Sequence, residues 1–279
     1  MRDKVDTEEI WVPIVAHYGF IYLMFLLALI LRDNGIVDII WGITIAIPST
    51  ILLIVNDRWH HRTVIILVVM WIYAIRMAAY VTLKHNGEDW RFKDIRNRLK
   101  EAGGNCLVVA GSFMLFTMIG TTLAIVGSPI YLLIIYSDPN DDLFVLEYLG
   151  LIIIAFGFCF ELIADIQLLM HKRNARNEGR FLKSGLWKYS RHPNFFGEAV
   201  FWVGIYTYIW GTKWGFVTVW APILMIISLK FISGVPLIEK KFEENDEYKQ
   251  YQRETNCMFP WFHKDDSKVR ITDRNAKNN

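Results

Sequence analysis

The stretch GLWKYSRHPNFFGE, residues Gly185–Glu198, places charged and amide side chains between two long apolar runs. Pro193 favours the first position of a helix, because its missing N–H would be unpaired there in any case and its φ is already helical. Asn194 and Glu198 are four residues apart and therefore lie on one face of the first turns. We predict a helix that begins near Pro193 and carries a polar face at its N-terminal end.

The start of this predicted helix favours an anion. Arg191 and His192 lie just before it, and the N-terminal end of a helix dipole is positive. Backbone N–H groups at such an end commonly bind phosphate. The alternative is a basic loop followed by an ordinary membrane helix. Against that alternative, an unpaired Glu198 carboxylate inside an apolar segment would cost roughly 3 kcal/mol.

Outward from this stretch, the sequence alternates apolar runs with short polar connectors. The 279 residues are 53% hydrophobic, and several runs reach the ~20 residues that cross a bilayer. A net charge of +2 is too small to indicate nucleic-acid binding, and the three cysteines show no disulfide or zinc spacing. His60 and His61 are predicted to be solvated loop residues, so no metal site is predicted. The first ten residues lack the basic start of a signal peptide, so the first apolar segment is predicted to be retained.

These runs predict an all-α, polytopic membrane helix bundle with about seven transmembrane helices and a C-terminal cytosolic helix. The predicted spans are about Trp11–Leu31, Ile36–Val55, Thr63–Leu83, Asn105–Val126 with a bent continuation to Tyr136, Leu143–Met170, Pro193–Trp210 and Trp214–Ile232. The polar helix Leu237–Glu254 follows them. With the N-terminus outside, the basic connectors Lys84–Gly104 and His171–His192 are cytosolic and the acidic turn Asp138–Asp142 is outside, as the positive-inside rule requires. Lys84–Gly104 is predicted to be a membrane-surface helix or a lid.

Two predicted spans each carry polar residues on one face, at helical spacings: Tyr73, Arg76 and Tyr80 on the third span, and Glu161, Asp165 and Lys172 on the fifth. An arginine or a pair of carboxylates inside an apolar span is costly, so these side chains are expected to face the protein interior. On the second span, Asp38 and Trp41 share a face. The polar faces are therefore the candidate functional positions of the membrane segments.

Several motifs together resemble the steroid 5-alpha-reductase-like membrane proteins, and most closely their DUF1295 branch. They are FELIADIQ (Phe160–Gln167), GLWKYSRHPNFFGE, the Gly-x-Pro-x-x-Glu segment Gly234–Glu239, a helix with Tyr248 and Tyr251 that ends near Phe259-Pro260, NGIVDIIWG (Asn34–Gly42) and GEDWRF (Gly87–Phe92). The similarity covers most of the chain.

This resemblance implies a reductase that binds NADPH among its last helices and reduces an activated carbon–carbon double bond of a hydrophobic lipid substrate. The implied cofactor-contacting positions, together with their polar neighbours in the sequence, are Glu161, Asp165, Lys172, Arg180, Arg191, His192, Asn194, Glu198 and Glu239. Tyr73 resembles the tyrosine that protonates the substrate, and Asp38 its acidic partner. Residues 1–142 would form the lipid-substrate side, residues 143–262 the cofactor-binding half and residues 263–279 a flexible tail of one membrane domain.

Two other classes remain open. Arg-His-Pro followed by an aromatic residue and Gly also resembles the isoprenylcysteine methyltransferases, which bind S-adenosylmethionine but lack the Ala-Asp-x-Gln segment. A non-catalytic membrane subunit with the same fold is the third possibility. In each case membrane lipids surround the chain and the C-terminus is expected in the cytosol. The endoplasmic reticulum is the expected membrane of a eukaryotic chain, with another organelle membrane as the alternative.

Overall fold

The computed structural model describes residues 7–85, 87–137 and 145–263, and within these ranges the secondary structure is helical, without strands. The helices are α1 (Thr7–Leu31), α2 (Ile36–Ile39), α3 (Ile43–Val55), α4 (His61–Lys84), α5 (Trp90–Tyr136), α6 (Val145–Arg173), α7 (Pro193–Ile209), α8 (Trp220–Ile227), α9 (Val235–Lys240) and α10 (Asp246–Glu254). The acidic turn Asp138–Asp142, the start of the fifth predicted span at Leu143 and the tail after His263 lie outside the described residues.

Five helical segments of the described chain are long and apolar enough to cross a membrane: Ile10–Leu31, His61–Lys84, Trp90–Tyr136, Val145–Arg173 and Gly215–Lys240. This confirms the all-α fold class and an integral membrane protein. The predicted count of seven stays a prediction, because α3 has 13 residues and α7 has 17, fewer than the roughly 20 that a bilayer requires.

The chain divides into two compact units. The first unit runs to Tyr148 and includes Tyr206–Ala221; the second comprises Leu149–Ile205 and the chain from Pro222 onward. In the first unit, α1 packs against α3 and α5. Its apolar core includes Ile21 and Phe25 of α1 together with Phe116 of α5.

The second predicted span, Ile36–Val55, is two helices rather than one. The chain leaves the helix after Ile39 and resumes at Ile43. Gly42 lies in this break, and a methyl group at its Cα would stand only 2.7 Å from the Ala74 Cα. Because Gly42 has no side chain, the backbone there approaches α4 more closely than a larger residue would allow.

The basic connector Lys84–Gly104 is helical from Trp90 and reverses at Gly103–Gly104. Gly104 has φ 68° and ψ −157°, a combination that is essentially restricted to glycine. After the reversal, the side chain of Leu99 lies against Gly111, where an added methyl group would stand 2.3 Å from Leu99 Cδ1. Leu99 thus packs within a helical hairpin, while Trp90 and Ile95 remain exposed, and the membrane-surface position of this connector stays a prediction. Beyond the reversal, the chain stays helical through Pro129 to Tyr136.

The C-terminal part differs from the prediction in two places. The seventh predicted span is composite: a 3₁₀ turn at Gly215–Val219 leads into α8, and a π-helical turn at Ser228–Ile232 follows it. The predicted polar helix Leu237–Glu254 is divided into α9 and α10. The division occurs because Asn245 caps α10, its Oδ1 accepting a hydrogen bond from Tyr248 N at 3.0 Å.

Candidate functional site

The candidate site lies in the second unit, where α6 and α7 cross at glycines. A methyl group at Gly157 would stand 2.5 Å from Phe201 N, one at Gly197 would stand 2.6 Å from Glu161 N, and one at Gly204 would stand 2.6 Å from Ile154 N. Such close backbone approach is the usual role of small residues between membrane helices. The three contacts define one antiparallel register, which places Asp165 level with the start of α7.

This crossing brings four predicted cofactor residues to one part of the second unit. Glu161 and Asp165 of α6 are each 2% exposed, and Glu198 of α7 is 4% exposed. Asn194, in the first turn of α7, is half-buried. Its Oδ1 is buried and accepts no hydrogen bond within the described part of the chain. A buried amide oxygen without a donor is uncommon, and this one can accept a hydrogen bond from a ligand or a water.

The helix α7 begins at Pro193, as predicted. The loop before it is held on α6 by two bonds. Leu186 N donates to Gln167 Oε1 at 3.0 Å, and Trp187 Nε1 donates to the Ala164 carbonyl at 3.1 Å. The FELIADIQ and GLWKYSRHPNFFGE motifs are therefore in direct contact, which fixes the entry into α7.

Three other predicted cofactor residues form a network that we call the clasp: Arg191, His192 and Glu239, joined by Gln252. Glu239 Oε1 accepts hydrogen bonds from Arg191 Nε at 2.9 Å and His192 Nε2 at 3.0 Å. Glu239 Oε2 accepts from Gln252 Nε2 at 2.8 Å. Arg191 also donates through Nη1 to the carbonyls of Gln252 and Thr255. These side chains are thus bonded to the protein itself.

Burial lowers the pKa of His192, an effect that the Arg191 charge reinforces and the hydrogen bond to Glu239 opposes. The ring is 3% exposed and stacks on Phe195, with ring centroids 5.4 Å apart. The imidazole is therefore held mainly in its neutral form, with one nitrogen donating to Glu239.

A C-terminal segment, residues 256–262, closes the clasp. Arg191 N donates to the Asn256 carbonyl at 2.9 Å, and His192 N donates to the Cys257 carbonyl at 3.0 Å. Ser190 Oγ donates to the Met258 carbonyl at 2.7 Å. Tyr251, fully buried in α10, donates its hydroxyl to the Trp187 carbonyl. The loop before α7 is consequently fixed between α6 and the C-terminal segment.

Lys172 lies in the last turn of α6 and Arg180 in the connector that follows it, and both are exposed. The connector is ordered locally by His171 Nε2, which bonds to the Arg180 carbonyl at 3.0 Å. Cationic side chains of this kind can bind anionic groups such as phosphate.

The two predicted catalytic residues belong to the first unit. Tyr73 of α4 is fully buried beside Gly42, and the Arg76 guanidinium lies 5.8 Å from the centre of its ring. Asp38 of α2 accepts a hydrogen bond from Arg91 Nη2 at 2.9 Å, and Arg91 Nε also bonds to Asp89 at 2.8 Å. The sequence pattern of Asp38 gave no indication of the Arg91 pair, because the two residues are 53 positions apart.

Sequence reasoning also missed a buried ion pair in the first unit. Arg62 and Glu147 are 1% and 0% exposed, and Arg62 Nη2 donates to Glu147 Oε2 at 3.2 Å. The hydroxyl of Tyr208 donates to the Arg62 carbonyl at 3.0 Å. Among the residues that the structure describes, no cluster of three or more His, Cys, Asp or Glu side chains could hold a metal ion.

A family model described as "Protein of unknown function (DUF1295)" matches residues 24–255. No curated protein and no solved structure matches the chain significantly.

Proposed function

The chain belongs to the DUF1295 family of proteins of unknown function, and we propose that it is a membrane-embedded reductase that uses NADPH to reduce a carbon–carbon double bond of a lipid or steroid-like substrate. The observation that carries this proposal is the group of polar side chains at the α6–α7 crossing. It includes Asn194, whose buried Oδ1 accepts no hydrogen bond from the described chain. The motifs shared with the steroid 5-alpha-reductase-like proteins supply the reaction class.

The residues present fit a dinucleotide. Asn194 Oδ1 can accept from a carboxamide or a ribose hydroxyl, and the buried carboxylates Glu161, Asp165 and Glu198 suit further hydroxyl donors. The exposed Lys172 and Arg180 suit phosphates, which strong cationic donors bind. When bound, NADPH would supply the hydride. Arg191, His192 and Glu239 would support this site through the clasp instead of contacting the cofactor.

Cofactor binding is tested by titrating NADPH into the purified protein and following nicotinamide fluorescence. Asn194→Ala removes one acceptor of the bound cofactor, so its affinity should fall about tenfold, equivalent to ~1.4 kcal/mol. Without cofactor the variant should be as stable as the wild type, since the lost oxygen has no partner within the described chain. Asn97→Ala, at an exposed position of the first unit, is the matched control. Equal affinities of wild type and Asn194→Ala would refute the assignment, and binding of S-adenosylmethionine in place of NADPH would favour the methyltransferase.

The chemistry is tested at Tyr73. A phenol stays protonated at neutral pH and can donate the proton that, together with a hydride, completes the reduction of a carbon–carbon double bond. Tyr73→Phe keeps the buried ring, so we expect intact folding and cofactor binding with turnover lowered on the order of 10²-fold. The measurement is NADPH oxidation with a panel of enone lipids, and Tyr80→Phe on the same helix is the control. Full activity of Tyr73→Phe would exclude this role, whereas bound cofactor with no turnover in any protein would favour the non-catalytic subunit.

A further inference from the structure

A row of exposed aromatic side chains marks one surface of the second unit, near the start of α7. Its members are Tyr189, Phe231, Phe259, Trp261 and Phe262, between 43% and 77% exposed. Phe259–Phe262 belongs to the C-terminal segment, whose backbone is held by the bond from Trp261 N to the Tyr189 carbonyl at 2.9 Å. The segment is therefore fixed on the protein while its rings point outward. So large an exposed apolar patch indicates an interaction surface.

The patch is continuous with a membrane-spanning helix. Phe156, 54% exposed on the apolar helix α6, contacts Phe160 at a centroid distance of 5.7 Å. Phe160 contacts Phe196 of α7 at 5.1 Å, and Phe196 contacts Phe259 at 5.9 Å. A contiguous path of rings thus leads from a lipid-facing position of α6 to the C-terminal segment. A surface that continues a lipid-facing side is itself expected to meet lipid.

Lys230 fixes the depth of this surface. It lies in the π-helical turn that follows α8, with its Nζ 5.0 Å from the ring centre of Phe231 and 5.7 Å from that of Phe259. An ammonium group is costly in hydrocarbon, and long lysine side chains extend their charge to the headgroup level. Because Phe259 is beside this ammonium, it lies near the same level. Tryptophan and other aromatic rings concentrate at that boundary.

We infer that residues Phe259–Phe262 form an interfacial membrane anchor, which inserts its rings at the boundary between headgroups and acyl chains while Lys230 meets lipid phosphate. The occupant of the patch is the phospholipid bilayer itself. The opposite side of the segment carries the backbone bonds that close the clasp, so the anchor holds the clasp at the membrane surface. This inference is independent of the proposed reductase activity.

The test is a depth measurement on the whole protein in phosphatidylcholine liposomes. Cys106, Cys159 and Cys257 are first replaced by Ser, and a nitroxide is then attached through Phe262→Cys. Collisions with molecular oxygen, which concentrates in the bilayer, are compared with collisions with a water-soluble nickel chelate. Glu244→Cys, in an exposed turn of the same unit, reports the aqueous phase, and Phe156→Cys reports the lipid phase.

We expect the label at residue 262 to lose nickel accessibility relative to residue 244 and to gain oxygen accessibility, toward the value at residue 156. Nickel accessibility equal to that of residue 244 would overturn the inference, because the segment would then face water. Protection from both reagents would also overturn it, because a second copy of the protein would then cover the patch. Trp261→Cys repeats the measurement, so that failure of one labelled variant to fold does not decide the result.

Discussion

Two regions built from neighbouring residues, the clasp and the α6–α7 crossing, satisfy their polar groups differently. In the clasp, Glu239 accepts bonds from Arg191, His192 and Gln252. Asn194 follows Arg191 by only three positions but belongs to the crossing. Its Oδ1 is buried and accepts no hydrogen bond from the described chain. In the proposed function, residues of one motif therefore divide into those that hold the protein together and those that bind a ligand. Motif membership alone does not separate the two roles.

The largest expected effect comes from breaking the clasp with Glu239→Ala. The variant leaves Arg191, which is 10% exposed, without its carboxylate, and such a loss costs roughly 3–5 kcal/mol for a buried pair. We expect a large fall in the apparent melting temperature in detergent and faster proteolysis of the C-terminal segment. Cofactor affinity should fall only indirectly, to the extent that the loop before α7 loses its fixed position.

The control for this experiment is Glu244→Ala, because the side chain of Glu244 is 97% exposed. It should leave both stability and proteolysis unchanged. If Glu239→Ala abolished NADPH binding while its melting temperature matched the wild type, Glu239 would be a cofactor ligand and the distinction between the two regions would fail.

The difference between the regions also shows what the sequence could predict. The start of α7 was predictable because proline at the first helical position is a local signal. Burial of Glu161, Asp165 and Glu198 was predictable because charged side chains inside a span rarely face lipid. The clasp was not predictable, because Arg191 and the Gln252 carbonyl are 61 positions apart and only the folded chain brings them together.

Other elements differ for equally physical reasons. The C-terminal polar run gave a continuous helical pattern, but the side chain of Asn245 offers a cap that starts a new helix. The amphipathic connector predicted contact with a membrane surface, which stays a prediction because Trp90 and Ile95 remain exposed, while Leu99 packs on Gly111 of the helix that follows it. Amphipathicity shows that an apolar face is covered and leaves open which surface covers it.

The second prediction concerns the crossing, where Gly197→Ala should force the two helices apart. The added methyl group would stand 2.6–2.8 Å from three atoms of Glu161, two of which are backbone atoms that cannot rotate away. Overpacking of this kind costs about 1–3 kcal/mol. We expect a lower melting temperature together with weaker NADPH binding, since the shift moves Glu161 and Glu198.

Gly19→Ala is the matched control, because nothing lies within 4 Å of the methyl group that it would add. It should preserve both stability and binding. A Gly197→Ala protein with wild-type stability would mean that the helices do not approach as closely as the crossing requires.

The smallest effect is a pH dependence of stability that arises from His192. Because burial lowers its pKa below the ordinary value of 6.5, the folded protein binds a proton at this ring less readily than the unfolded chain does. Unfolding therefore takes up a proton below pH 6.5, and stability should decline as the pH falls through 6.5, levelling off below the folded-state pKa. Arg191 and Glu239 face this ring and keep their charges over that range.

His192→Gln retains a hydrogen-bond donor for Glu239 but does not titrate. Melting temperatures measured between about pH 7.5 and pH 5 should therefore fall less steeply for the variant than for the wild type. Parallel curves for the two proteins would show that His192 is as readily protonated in the folded clasp as in the unfolded chain. The clasp would then lack the buried, neutral imidazole that distinguishes it from the charged ion pairs of the first unit.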